Sequence, residues 1–81
     1  MEFRMKKVWV VQYREVGEED QVFLATSEEK AREIAYNTLW HILEWRLDGT
    51  GIEIPTTLED AERLCFDEEY AYISIYEQGV E

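Results

Sequence analysis

The chain is poor in the groups that crosslink, catalyse or anchor. Of its 81 residues, one is cysteine and one is histidine. With Cys65 alone no internal disulfide forms, and a lone thiol fits a reducing compartment. His41 has no second histidine near it and no nucleophile to serve, so neither a histidine metal pair nor a Ser-His-Asp arrangement can be drawn. No glycine-rich phosphate loop follows a strand. No apolar run approaches the roughly 20 residues that span a bilayer. Val8–Val11 is only four residues long before Gln12, far short of the apolar core of a secretory signal. The expectation is a soluble, cytoplasmic protein with no catalytic site, cofactor or metal.

Basic residues are also missing, and unevenly. Residues 1–47 carry nine carboxylates against seven bases, a net of −2. Residues 48–81 carry ten carboxylates against Arg63 alone, a net of −9, and no lysine follows Lys30. A one-signed field on half of a small domain repels polyanions and attracts cationic surfaces. Direct nucleic-acid binding is therefore not expected.

Large side chains are plentiful. The chain is 46% hydrophobic and 14% aromatic, which separates it from disordered acidic sequences. Eighty-one residues make one domain, expected over residues 6–79. Residues 1–5 fall outside it and read as flexible or vector-derived; Met5-Lys6-Lys7 looks like a natural start, with residues 1–4 either a vector remnant or an upstream start.

The order of elements follows from periodicity. Lys6–Glu15 reads as a strand, with Val8 and Val10 on one face and Trp9, Val11 and Tyr13 on the other. Val16–Asp20 is a polar turn, and Gln21–Ala25 is the second strand of a hairpin. Thr26-Ser27-Glu28-Glu29 has the form of a capping box with Thr26 as N-cap, opening a helix that runs to about Leu47. Gly49 ends it. Ile52-Glu53-Ile54 alternates like a short strand. Either Thr56 with Glu59 or Thr57 with Asp60 caps a second, shorter helix with Leu58, Ala61, Leu64 and Cys65 on its apolar edge. Tyr70–Gln78 is the last strand, with Ala71, Ile73 and Ile75 opposite Tyr70, Tyr72 and Tyr76. The fold class is α+β: a small antiparallel sheet of three to four strands with one long and one short helix packed on one face. The last strand should lie beside the first, which is apolar on both faces and suits the centre.

The long helix carries two apolar stripes. Ala31, Ile34, Ala35, Thr38, Ile42 and Trp45 form one. Tyr36, Trp40, Leu43 and Leu47 form another, with Leu39 between them. One sheet face does not cover that much apolar surface. The second stripe is either buried beneath the short helix or is the seam of a homodimer.

The segment Met5-Lys6-Lys7-Val8-Trp9-Val10-Val11, followed by Phe23-Leu24-Ala25-Thr26-Ser27-Glu28-Glu29-Lys30-Ala31, resembles small uncharacterised proteins of bacteriophages and mobile elements. It covers about a third of the chain and consists of a strand, a second strand and a capped helix. The resemblance implies an anti-CRISPR or other anti-defence inhibitor acting in a bacterial cytoplasm, and brings no catalytic residues.

Two readings of the acid follow. In the first, Glu53, Glu59, Asp60, Glu62, Asp67, Glu68 and Glu69, with Tyr70 and Tyr72 as aromatic anchors, imitate a polyanion and engage a basic, nucleic-acid-handling host protein. In the second, the acid only keeps an aromatic-rich domain soluble, and the protein is a homo-oligomeric structural or accessory component. Asp67-Glu68-Glu69 lacks the alternation and central glycine of a calcium loop. Cys65 falls on an apolar edge, where a thiol is inert.

Overall fold

The computed structural model describes residues 6–80. The first five residues, read above as flexible or vector-derived, lie outside them. Strand β1 spans Lys6–Glu15, β2 Gln21–Ala25, helix α1 Glu28–Arg46, α2 Leu58–Asp67 and β3 Ala71–Val80. The three strands form one antiparallel sheet in the order β2-β1-β3. The first strand is therefore central and the last lies beside it, in an α+β arrangement. Ile52–Ile54 joins no strand; the stretch from Gly51 to Pro55 is irregular.

Register divides the sheet into two faces. Val11 lies between Phe23 and Ile75, and Trp9 pairs with Ala25; this inner face meets the helices. Val10 lies between Leu24 and Tyr76 on the outer face. The main core gathers Val11, Tyr13 and Ala25 of the sheet, Ala31, Ala35, Leu39, Ile42, Leu43 and Leu47 of the long-helix segment, and Leu58, Ala61 and Cys65 of α2. Leu39, Leu43, Val11 and Cys65 are its largest fully buried side chains. Leu39, Leu43 and Val11 each contribute roughly 1.5–3 kcal/mol by leaving water.

The two expected stripes of α1 merge into one broad buried arc. Ala31, Ala35 and Ile42 of the first and Leu43 and Leu47 of the second are buried, and Leu39 joins them. Leu39 has no exposed surface. The physical reason is that α1 is wedged between the sheet and α2, so its buried arc faces the gap between them. The aromatic flanks of that arc are pushed outward: Trp40 is 37% exposed and Trp45 68%. Of the proposed seam, Leu43 and Leu47 are core residues of a single chain. Tyr36 is half-buried and donates its hydroxyl to the Pro55 carbonyl oxygen at 2.6 Å. Only Trp40 retains the exposure that a seam needs.

Caps fix where the helices begin. Ser27, not Thr26, is the α1 N-cap: its hydroxyl accepts from the Lys30 N–H at 3.1 Å, and its carbonyl accepts from the Ala31 N–H. With Ser27 as N-cap the N3 position is Lys30, so the capping box expected of Thr26 and Glu29 does not form. Thr57 caps α2 by accepting from the Asp60 N–H at 3.2 Å. This is the later of the two registers; Leu58, Ala61 and Cys65 of the helix are buried.

Candidate partner-binding site

Helix α2 and the turn behind it carry most of the second half's acid. Leu58, Ala61 and Cys65 fix the inward edge. At roughly 100° per residue, Glu59, Glu62 and Phe66 then fall on one flank, while Asp60 and Asp67 fall toward the other. All of these except the half-buried Glu62 are exposed. The expected acidic set is thus distributed around α2 and does not converge on one point.

The turn is built by the end of α2. Glu68 is the C-cap and Glu69 adopts φ +56°, in the left-handed region. The Tyr70 N–H donates to the Cys65 carbonyl at 2.8 Å and the Glu69 N–H to the Phe66 carbonyl at 3.1 Å. This is the double closure of a Schellman motif, with glutamate where glycine is commonest. It holds Glu68 and Glu69 in water and directs the chain into β3. Tyr70 is consequently half-buried beside the core, not on the open face with Tyr72 and Tyr76. The Arg46 guanidinium lies 5.1 Å from the Tyr70 ring and 4.7 Å from the Trp45 ring, within cation–π range.

The Glu59/Glu62 flank borders a cleft of about 800 Å³ where α2 meets the end of the sheet. Glu59, Glu62, Arg63 and Phe66 line it from the helix; Arg14, Tyr72 and Ser74 line it from the strands. Phe66 stands edge-on to Tyr72, with ring centres 5.7 Å apart at 79°. Such a pair adds about 0.5–1.5 kcal/mol beyond area burial. Glu59 accepts a hydrogen bond from Arg32 of α1, which holds its carboxyl below the usual range. Glu62 is pushed the other way, first by burial and then by the Glu59 charge. Arg14 pairs with Asp20 at 3.8 Å on the sheet side.

Of the residues singled out from sequence, Glu59, Glu62 and Tyr72 meet at this cleft. Asp60, Asp67, Glu68 and Glu69 do not line it, and Glu53 is exposed in the irregular stretch between the helices. Phe66, Arg14 and Arg63 were missed. Phe66 had a readable signal: an aromatic on the charged side of an amphipathic helix, 62% exposed in the fold. Arg14 had none, because its place depends on pairing with Tyr72 across β1 and β3.

The cleft is lined by two bases and three acids, so its own charge is nearly balanced. The excess acid lies outside it, on the rest of α2 and its turn. Cys65 is buried and its thiol is pushed up to about 11 by desolvation, which keeps it protonated and unreactive at neutral pH. Among the described residues no three His, Cys, Asp or Glu side chains are grouped to hold a metal ion. Among them, too, no helix is long and apolar enough to cross a membrane. No family model matches the chain, and neither a curated protein nor a solved structure matches it.

Proposed function

We propose that this is a non-enzymatic binding protein that engages a basic, nucleic-acid-handling protein through the acidic surface of α2 and its C-terminal turn. One observation carries the reading. Six of the ten carboxylates in residues 48–81 lie on one ten-residue helix and the turn after it, and all but the half-buried Glu62 are exposed. Of Glu59, Asp60, Glu62, Asp67, Glu68 and Glu69, only Glu59 takes part in an ion pair among the described residues. A rigid helix edged with carboxylates fits a cleft shaped for a phosphate backbone, and long-range attraction speeds the encounter. Phe66 and Tyr72 supply the apolar anchor beside the charge. The biological setting that suits such a protein is inhibition of a host defence nuclease or a related nucleic-acid enzyme in a bacterial cytoplasm.

The experiment is a pull-down from bacterial lysate at low and high salt, with wild type and with Asp67, Glu68 and Glu69 all changed to lysine. The six-unit change of charge falls on exposed residues and leaves the core alone. Expected is capture of a basic protein that is lost in the variant and weakened by salt. Capture that survives both changes refutes the electrostatic reading.

A further inference from the structure

The two edges of the sheet differ. Strand β2 is five residues long, and so short an edge offers little to a foreign strand. Strand β3 is the other edge, and its ten residues pair with β1 without a bulge, from Ala71 opposite Glu15 to Val80 opposite Lys6. It contains no proline and no lysine, and its one charged residue, Glu77, already pairs with Lys7 at 3.6 Å. The usual protections of an edge are missing from it. In an antiparallel pair, alternate residues turn their N–H and C=O away from the neighbouring strand. Among the described residues no backbone hydrogen bond reaches those groups on the far side of β3. The cleft borders the first part of this edge strand: Ala71–Ser74 line it from β3, and Glu59, Glu62 and Phe66 line it from α2.

We infer, on the reading that the partner is a basic protein, that the cleft takes an extended segment of that partner, which pairs with Ala71–Ser74 as a fourth strand and sets an arginine or lysine against Glu62. Charge selects the segment. Helix α2 and its turn hold six carboxylates and one base, Arg63, so the field around the cleft is negative and favours a basic chain. Asp20 is engaged by Arg14, and Glu59 by Arg32. Arg63 is exposed, and its long side chain can turn to solvent. Glu62 is half-buried and has no ion-pair or hydrogen-bond partner among the described residues. Burial and the Glu59 charge push its carboxyl above the usual range, and a cation beside it offsets both. Phe66 lies one helical turn beyond Glu62, a rise of about 6 Å. Two residues of a strand rise about 6.6 Å. A basic residue with an apolar one two positions away, on the same face of the segment, therefore matches Glu62 and the Phe66–Tyr72 pair together. Backbone pairing supplies the hold and the side chains the selectivity, as in strand addition generally.

Amide-resolved NMR titration of the full chain with a capped pentapeptide, Thr-Arg-Thr-Val-Thr, tests the inference. Two control peptides carry citrulline in place of arginine, or N-methyl groups on every backbone amide. Saturable shifts are expected at the amides of Glu62, Phe66 and Ala71–Ser74, with slowed hydrogen exchange at the β3 amides that face away from β1. Citrulline for arginine, and Glu62→Gln with the original peptide, are each expected to weaken binding roughly tenfold. N-methylation is expected to abolish it. The inference is overturned if millimolar peptide gives no saturable shifts, or if the shifts fall on Asp67–Glu69 and spare β3. It is equally overturned if the citrulline or N-methylated peptide binds as well as the original, or if Glu62→Gln leaves binding unchanged. The lysate capture fails separately, because Asp67, Glu68 and Glu69 do not line the cleft, whereas Glu62→Gln alters the cleft alone. Capture without peptide binding refutes the cleft and leaves the basic partner; peptide binding without capture does the reverse.

Discussion

Val10 and Val11 are neighbours on the central strand, and both are hidden from water, at 3% and 0% exposure. They are hidden by different means. Val11 is covered by another layer, in a core that includes Leu39 of α1 and Cys65 of α2. Val10 is outside that core cluster, and its register partners within the sheet, Leu24 and Tyr76, are themselves exposed. The inner face thus holds the domain together, while the outer face spends apolar surface without gaining a second layer. A short chain has little area to spare, and that contrast separates the face that stabilises the fold from the face that does not.

The contrast is broken most severely from the inside. Leu39→Ala removes a side chain with no exposure at the centre of the buried arc of α1, and a loss of about 2–5 kcal/mol is expected in urea unfolding. Against the marginal stability of so small a domain, this approaches global unfolding.

Alkali tests the same face without a mutation. Burial, aided by the Glu15 charge, raises the Tyr13 hydroxyl from 10.0 to about 12, and burial raises the Cys65 thiol from 9.0 to about 11. Both groups are neutral when protonated, and the fold favours that form. Their contribution is complete below the unfolded values, near 9 and 10. It declines as pH rises through about 11 and 12, because the unfolded chain ionises first. The loss reaches on the order of a few kcal/mol at the top of that range. Melting temperature should fall from pH 9 upward, with the first part of the fall abolished in Cys65→Ser.

The outer face gives the smallest effect. Leu24→Ser removes an apolar group that is mostly in water, so monomer stability should change by no more than about 0.5 kcal/mol. Thermal melts at protein concentrations low enough to exclude association measure it. A loss of several kcal/mol would mean that Leu24 is held by the fold itself, and the distinction between the two faces would fail.

The sequence made the sheet readable and the helix faces less so. Strands alternate with a period of two, so Lys6–Glu15 and Gln21–Ala25 were bounded by their own β-branched and aromatic residues. The pairing of β3 with β1 followed from the apolar character of both faces of β1. Helix α1 was harder. Its two stripes are arcs of one broad surface, and only the position of α2 shows that Leu39 is at the centre and Trp40 and Trp45 at the margins. Arg46 illustrates the limit. It immediately precedes Leu47 and falls on the buried side of α1, yet its guanidinium reaches out to Trp45 and Tyr70, and its buried Nε has no hydrogen-bond partner among the described residues. No periodicity foretells that, because it depends on where the core stops. The acidic residues could be counted in sequence, but that Glu59 and Glu62 share a cleft with Arg14 and Tyr72 depends on how α2 sits against the sheet.

The strand order has a consequence for how the chain acquires its shape. Lys6 pairs with Val80, and the whole of β1 is joined by strand β3, the last to be synthesised. Until those ten residues leave the ribosome, the central strand has a bare edge, and the most apolar segment of the protein is a template for stray pairing. The hairpin and α1 need only local contacts, whereas closing β1 against β3 joins Lys6 to Val80, and such non-local pairing is what slows folding in general. A nascent chain stalled before Ala71 would therefore be a substrate for chaperones, and one released there an aggregation seed.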